Sequence, residues 1–179
     1  MLFYERREVR DSSVELRIKQ KVFSWTDRFD IYDEYENTKY YVKGEFLSFG
    51  KKLHIYDALD NEVGFVRQKV FSWMPTFYIE INGEEIGSVR KKFTFFRPTY
   101  NVDYRGWTCE GDFLGWDYAV YDDNGYQVAS IRKKIISWGD TYIISYDRAE
   151  DELPVLMLVL AIDAANEQAA AAASSSSNS

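Results

Sequence analysis

The chain has 179 residues, of which 46% are hydrophobic and 17% aromatic, and this is enough for one domain with an apolar core. Its formal net charge of −7 argues against nucleic acid as the main partner, because phosphate backbones repel a globally acidic chain. The single cysteine, Cys109, excludes an internal disulfide. Residues 1–8 lack the apolar run of a signal peptide, so we expect a cytoplasmic protein that is at most peripheral at the membrane.

Short aromatic and β-branched runs, separated by turn residues, continue as far as residue 146. Residues 63–71 alternate between the two faces of a strand, as a half-buried sheet requires. The pairs Asn82–Gly83 and Asn124–Gly125 predict tight hairpins, because both central residues of a type I′ turn need positive φ. We therefore predict a mainly β fold with about twelve antiparallel strands.

An internal repeat organises these strands. The segment Gln-Lys-Val-Phe-Ser-Trp at 20–25 recurs identically at 68–73, and variants stand at 91–96 and 133–138. Matching positions further along make residues 18–81 and 89–146 two copies of one β-unit. The repeat predicts a duplicated half-barrel or half-sandwich.

The pattern changes after the charged residues 147–152. Residues 153–162 are apolar on every side, and Pro154 suits a first helical turn, so we predict a buried helix near 153–167. A stretch of this length is too short to span a bilayer, and we expect no transmembrane segment. Residues 1–167 are predicted to form one domain, and 168–179 a low-complexity alanine and serine tail.

A duplicated β-domain followed by one wholly apolar helix resembles the tubby C-terminal-like fold, and within it the LURP-one-related (LOR) family. The resemblance covers about residues 5–167. It rests on the repeats at 20–25 and 68–73, on the related segments 44–47 and 111–114, on the Tyr-Asp pairs at 56–57 and 121–122, and on residues 156–165.

The resemblance implies a closed antiparallel barrel around a central C-terminal helix. Relatives of this fold include phosphoinositide-binding tubby domains and phospholipid scramblases. The chain departs from scramblases because it lacks a cysteine-rich palmitoylation stretch and a proline-rich N-terminal region. A helix that fills the lumen would move any binding site to the outer surface or the barrel ends.

Basic clusters are the first candidates for such a site, since on an acidic protein they are suited to the phosphate of an anionic lipid head group. The lipid hypothesis predicts that they converge into one exposed patch. The alternative is that they are solvated strand faces that guard edges against aggregation. The residues are Lys51, Lys52, Arg67, Lys69, Arg90, Lys91, Lys92, Arg132, Lys133 and Lys134.

Acidic residues group at the predicted turns, where carboxylates either bind calcium or cap the turn itself. None of these groups has the spacing of an EF-hand loop, so we predict turn capping and no metal site. The groups are Asp30, Asp33 and Glu34; Asp57, Asp60 and Glu62; and Asp122 and Asp123.

Residues able to perform nucleophilic or acid–base chemistry are few. His54 is the only histidine and lies in a strand-like segment, and Cys109 has no adjacent base, so we interpret them as structural. The repeated serines Ser24, Ser72 and Ser137 lack a nucleophile elbow. We expect no cofactor.

The repeated tryptophans Trp25, Trp73 and Trp138 admit two interpretations. They form an exposed aromatic binding face, or they pack in the core or at the barrel ends. We favour packing, because tryptophan is usually largely buried.

Together these observations predict a non-enzymatic binding or scaffold module that recognises a phosphorylated lipid head group or a protein partner. One alternative is a regulator that acts through nucleic acid or through release of the C-terminal helix. Another is a hydrolase with a carboxylate pair, which requires a cleft containing a carboxyl group of raised pKa.

Overall fold

The computed structural model describes residues 14–19, 28–45, 49–92, 99–136 and 139–176. Within these residues it contains twelve strands and one long helix. The strands are β1 (Val14–Lys19), β2 (Phe29–Tyr32), β3 (Thr38–Gly44), β4 (Lys52–Asp57), β5 (Glu62–Gln68), β6 (Thr76–Ile81), β7 (Glu84–Lys92), β8 (Thr99–Asp103), β9 (Thr108–Asp112), β10 (Asp117–Tyr121), β11 (Gln127–Ile136) and β12 (Gly139–Tyr146), and the helix is α1 (Glu152–Ser176).

The strands form a closed antiparallel barrel in which each strand pairs with its neighbour in sequence. The first and last strands close the ring, with Val14 opposite Tyr146 and Lys19 opposite Thr141. Closure removes the free edges along which sheets aggregate. The predicted fold class is confirmed, and the two sequence repeats correspond to β1–β6 and β7–β12.

Strand alternation separates the lumen from the outer surface. In β5, Gly64 and Val66 are buried, whereas Val63, Phe65 and Arg67 between and beside them remain partly exposed. Gly64 lies against the helix, because a Cβ atom there would stand 2.8 Å from the Sδ atom of Met157. The helix can therefore approach this strand closely only where the side chain is absent.

Helix α1 fills the lumen with apolar side chains. Residues 155–162 are each no more than 1% exposed and pack against inward-facing residues such as Val66 and Ile79. The predicted buried helix is confirmed, and it extends to Ser176, through the alanines predicted as part of a tail. Among the residues that the structure describes, no helix is long and apolar enough to cross a membrane.

The N-terminal end of α1 is anchored by Glu152. Its carboxylate accepts hydrogen bonds from Lys39 Nζ at 2.6 Å, from the Tyr40 hydroxyl at 2.7 Å and from the Tyr146 hydroxyl. Beside it, Arg105 Nη1 lies 3.1 Å from Asp151 Oδ1. Three donors from the barrel wall thus compensate for the burial of this carboxylate.

The end of the barrel at which α1 begins is called the acidic end, and it includes the turns at 33–37, 58–61 and 122–126. Asp33, Asp57 and Asp122 each accept two backbone N–H bonds from residues two and four positions further along. The turn-capping prediction is confirmed for these three. Hydrogen bonds from Asn37 and Asn61 lower the pKa values of Asp33 and Asp57.

The tight-turn prediction is correct at one of its two sites. Asn82 and Gly83 join β6 to β7 with φ values of 51° and 80°, as a type I′ hairpin requires. In the connection from β10 to β11 only Gly125 has positive φ, at 76°. There the Asp122 carboxylate bonds the N–H groups of Asn124 and Tyr126 and holds a longer turn, so Asn124 does not need the left-handed conformation.

Candidate functional site

The opposite end of the barrel carries the described repeat segment 68–73 and is called the repeat end. Its described connections are 49–51 between β3 and β4, 69–75 between β5 and β6, and 113–116 between β9 and β10. The C-terminal part of α1 lies at this end, because Lys51 pairs with Glu167 and the Tyr100 hydroxyl bonds Asn166. Trp25, Trp138, Ser24 and Ser137 lie outside the described residues.

Every basic cluster named from the sequence lies at or toward the repeat end. Lys52 begins β4 and Lys51 precedes it, Lys69 follows β5, and 90–92 end β7. Residues 132–134 lie toward the end of β11, but in the closed strand order β11 stands opposite β5. The clusters therefore share one end of the barrel without forming the single patch that the lipid hypothesis predicted.

Several of these cations are already neutralised by carboxylates. Lys51 pairs with Glu167, and Lys52 Nζ lies 2.8 Å from Glu45 Oε2. Arg67 bridges Glu80 and Glu85 on the two following strands. An ion-paired side chain offers little net charge to an anionic ligand, so these three residues contribute little to such a site.

Other cations form no ion pair with any carboxylate of the described residues. Lys91 is one of them, but it points to the inward face opposite Tyr100, and burial lowers its pKa. The remaining five are exposed. They are Lys69, Arg90 and Lys92 on the β5–β7 side, and Arg132 and Lys134 on β11.

Lys69, Arg90 and Lys92 are called the basic rim, and Arg90 contacts a pair of hydroxyl groups. The Lys69 N–H bonds the Thr76 carbonyl at 2.8 Å, and Thr76 stands opposite Arg90 in the sheet. Arg90 Nε lies 3.4 Å from Thr76 Oγ1, which lies 3.3 Å from Ser72 Oγ. The Thr76 hydroxyl is buried and donates to the Met74 carbonyl, so the groups available to a ligand here are the exposed cations, which are suited to binding a phosphate group.

The β11 side of the repeat end is less suited to an anion. Asp117 stands opposite Arg132 in the sheet, and Asp112 lies at the end of the neighbouring strand β9. Carboxylates beside these cations weaken the local positive potential. The basic rim is therefore the more favourable of the two places for a negatively charged ligand.

Trp73 is fully exposed, at 103% of its reference area, and Phe71 beside it is 99% exposed. The prediction that the repeated tryptophans pack in the core or at a barrel end is therefore wrong for Trp73. The β5–β6 connection turns outward at Phe71, where φ is 60°, and this places both rings in solvent. Phe49 in the adjacent connection is also 87% exposed, and sequence reasoning had not singled it out.

His54 and Cys109 occupy structural positions. His54 lies on the outer face of β4, with its two ring nitrogens each 3.0 Å from a carboxylate oxygen, of Glu45 and of Glu62. Cys109 is buried, and burial raises the pKa of its thiol to about 12, so the thiol stays protonated at neutral pH. The serine of the described repeat, Ser72, bonds Thr76 and has no histidine partner in the structure described.

Among the residues that the structure describes, two carboxyl groups have raised pKa values, and both lie on or just before α1. Burial raises the pKa of Asp151 beside Arg105, and it raises the pKa of Asp163 to about 7. A surface depression of about 220 Å³ lies elsewhere, near the β6–β7 hairpin, and its lining includes Glu62 and Glu80. The carboxyls of raised pKa are thus separate from this depression.

Comparisons with known proteins agree with this architecture. The family model described as LURP-one-related matches residues 14–163. The uncharacterized protein YxjI of Bacillus subtilis is 33% identical over 109 residues, which are 61% of this chain and 67% of the relative. The X-ray structure of an Arabidopsis thaliana protein superposes with a TM-score of 0.60 at 16% identity, covering 84% of this chain and 90% of that one.

Proposed function

Because the chain belongs to the LURP-one-related family and its barrel is filled by its own helix, we propose that it is a non-enzymatic module that binds anionic lipid head groups on its outer surface. The basic rim is the proposed contact site. The observation that carries this proposal is that three exposed cations, Lys69, Arg90 and Lys92, lie on one side of the repeat end and form no ion pair with any carboxylate of the described residues.

The non-enzymatic part of the proposal rests on the chemistry of the candidate groups. The Cys109 thiol is buried and protonated, and His54 is held between two carboxylates. Neither is placed as the nucleophile–base pair that covalent catalysis uses. Binding without chemical conversion is the function that this arrangement supports.

Co-sedimentation with lipid vesicles tests the proposal. Vesicles of phosphatidylcholine are compared with vesicles that also contain phosphatidylserine or a phosphoinositide, at low and at physiological salt. The full chain is expected to bind only the anionic vesicles and to lose affinity as salt rises. Substitution of Lys69, Arg90 and Lys92 by alanine is expected to weaken binding by about 100-fold, since each cation near an anionic surface contributes about 1 kcal/mol.

The variant Arg132→Ala/Lys134→Ala is the matched control, because it removes unpaired cations from the opposite side of the same end. It is expected to reduce binding far less than the basic-rim variant does. Losses of binding free energy in proportion to the charges removed, three against two, would show that binding follows net charge alone. If the unmodified chain fails to bind anionic vesicles even at low salt, the lipid proposal is wrong, and a protein partner becomes the next hypothesis.

A further inference from the structure

The aromatic residues of the β5–β6 connection are held in solvent by an unfavourable backbone conformation. Phe71 has φ of 60°, in the left-handed region that bulky side chains rarely adopt. Its ring and that of Trp73 are fully exposed, so packing within the described structure does not offset this cost. A conformation that opposes stability and presents two large rings to water indicates a binding role.

Phe49 extends this apolar surface. Its neighbour Gly50 lies beside the β5–β6 connection, because a Cβ atom on Gly50 would stand 3.5 Å from a methyl carbon of Val70. The two connections are therefore adjacent at the repeat end. Phe49, Phe71 and Trp73 together are called the apolar tips.

The basic rim begins where the apolar tips end. Lys69 precedes Phe71 by two residues, and Arg90 contacts Thr76, the first residue after the connection. Apolar side chains next to a group of cations form the pattern of residues that enters the interface of an anionic bilayer. The acidic end, with Asp33, Asp60 and Asp122 at its turns, has the opposite charge and would be repelled by the same surface.

A bilayer suits these tips better than a protein groove does. The three side chains project from two adjacent connections, and each is exposed over 87–103% of its reference area. A protein partner would have to supply a pocket for each ring. Lipid is a deformable solvent in which tryptophan and phenylalanine are favoured at the head-group level.

We infer that the apolar tips insert into the interfacial layer of an anionic bilayer when the basic rim binds its head groups. This inference deepens the proposed function and rests on it. Insertion gives the protein a fixed orientation, with the repeat end on the lipid and the acidic end facing away. It also adds a contribution to binding that salt does not screen, because burial of apolar surface does not depend on ionic strength.

Site-directed fluorescence labelling tests insertion directly. The native Cys109 is buried with a raised thiol pKa, so a cysteine introduced at Phe71 can be labelled selectively with an environment-sensitive dye. On vesicles containing phosphatidylserine, the dye at Phe71→Cys is expected to shift its emission to the blue and to be quenched by spin-labelled lipids. The matched control is Leu59→Cys at the acidic end, which is 82% exposed and is expected to show neither change.

A pair of double variants tests the energetic contribution. Phe71→Ser/Trp73→Ser is expected to weaken vesicle binding by roughly 10- to 100-fold, mainly in the fraction that survives high salt. Tyr35→Ser/Leu59→Ser removes two exposed apolar side chains from the acidic end and is expected to leave binding unchanged. All four positions are exposed, so the variants are expected to fold.

The results of these experiments distinguish insertion of the apolar tips from head-group binding by the basic rim. Salt-sensitive vesicle binding that needs the basic rim, with an unshifted and unquenched dye at residue 71, would overturn insertion and leave head-group binding intact. Equal effects at residues 59 and 71 would also overturn it, because they would show that the protein has no fixed orientation. Absence of vesicle binding at low salt would overturn both.

Discussion

Asp163 is a carboxyl group that the fold keeps partly out of water. It lies on α1 near the repeat end, where burial, together with the charge of Glu167 and against the opposing charge of Lys51, raises its pKa to about 7. The phenols of Tyr100 and Tyr118 face the same region, and the pKa of each is raised in part by Asp163. The folded state therefore favours the protonated acid at a position where the unfolded chain would ionise.

This difference predicts a pH dependence of stability. A folded-state pKa above the unfolded value of 3.8 means that the folded protein holds an extra proton between about pH 4 and 7. The contribution of Asp163 is thus fully present below pH 4 and is lost as the pH rises through 7. Asp163→Asn is expected to gain stability over the unmodified chain from pH 5 to pH 8, by on the order of 2 kcal/mol, as each pKa unit is worth about 1.4 kcal/mol and partial exposure screens the effect.

Urea unfolding across this pH range measures the difference. Glu167→Gln, one turn further along and exposed, is the control and is expected to change the slope much less. Parallel stability curves for Asp163→Asn and the unmodified chain would mean that Asp163 ionises normally in the folded protein.

Helix α1 is part of the hydrophobic core, and its withdrawal from the barrel would require a large input of free energy. The helix buries seven large apolar side chains between Val155 and Ile162, each at most 1% exposed. At about 1.5–3 kcal/mol for each side chain, exposing them would cost roughly 10–20 kcal/mol, which equals or exceeds the stability of a typical domain. A regulatory mechanism that withdraws the helix and leaves the barrel folded is therefore unfavourable.

The anchor at the start of α1 predicts an asymmetric response to tyrosine substitutions. Tyr146→Phe removes one of three donors to the buried Glu152 carboxylate and is expected to destabilise the fold by about 1–3 kcal/mol. Tyr126→Phe removes a hydrogen bond to the exposed Asp147 and is expected to cost less than about 0.5 kcal/mol. Chemical denaturation of the two variants measures the contrast, and equal costs would mean that Glu152 does not depend on the Tyr146 hydroxyl.

At the scale of the whole molecule, the net charge of −7 conceals a division between two ends. Carboxylates cap the turns of the acidic end, whereas the exposed cations Lys69, Arg90, Lys92, Arg132 and Lys134 stand at or toward the repeat end. Under the proposed function, this division of charge orients the molecule before it contacts an anionic surface, even though its total charge is repelled by that surface. The total charge alone is therefore a poor guide to its partners.

Much of the fold could be predicted from the sequence because it is encoded locally. Strand alternation, hairpin residues and the all-apolar segment at 153–162 each report the environment of nearby residues. The length of α1 was underestimated, since its alanine run has high helix propensity but low sequence complexity.

The candidate site was harder to predict because it depends on contacts between distant residues. Lys51 pairs with Glu167, which is 116 positions away, and no local pattern identifies that partner. Trp73 occurs in an apolar segment typical of buried strands, yet the turn at Phe71 directs it outward. The exposure of Phe49 could be inferred only weakly from the sequence, since the adjacent Gly50 marks a turn or connection.

We propose that the β3–β7 side of the repeat end is the face that contacts the membrane. Hydrogen exchange of the full chain, free and bound to phosphatidylserine vesicles, tests it most directly. Insertion of the apolar tips predicts slower amide hydrogen exchange on vesicles in residues 49–51 and 69–75. Exchange in the turns at 33–37, 58–61 and 122–126 is expected to stay unchanged. Protection of the acidic-end turns, or bound protein with no protection at 69–75, would contradict it.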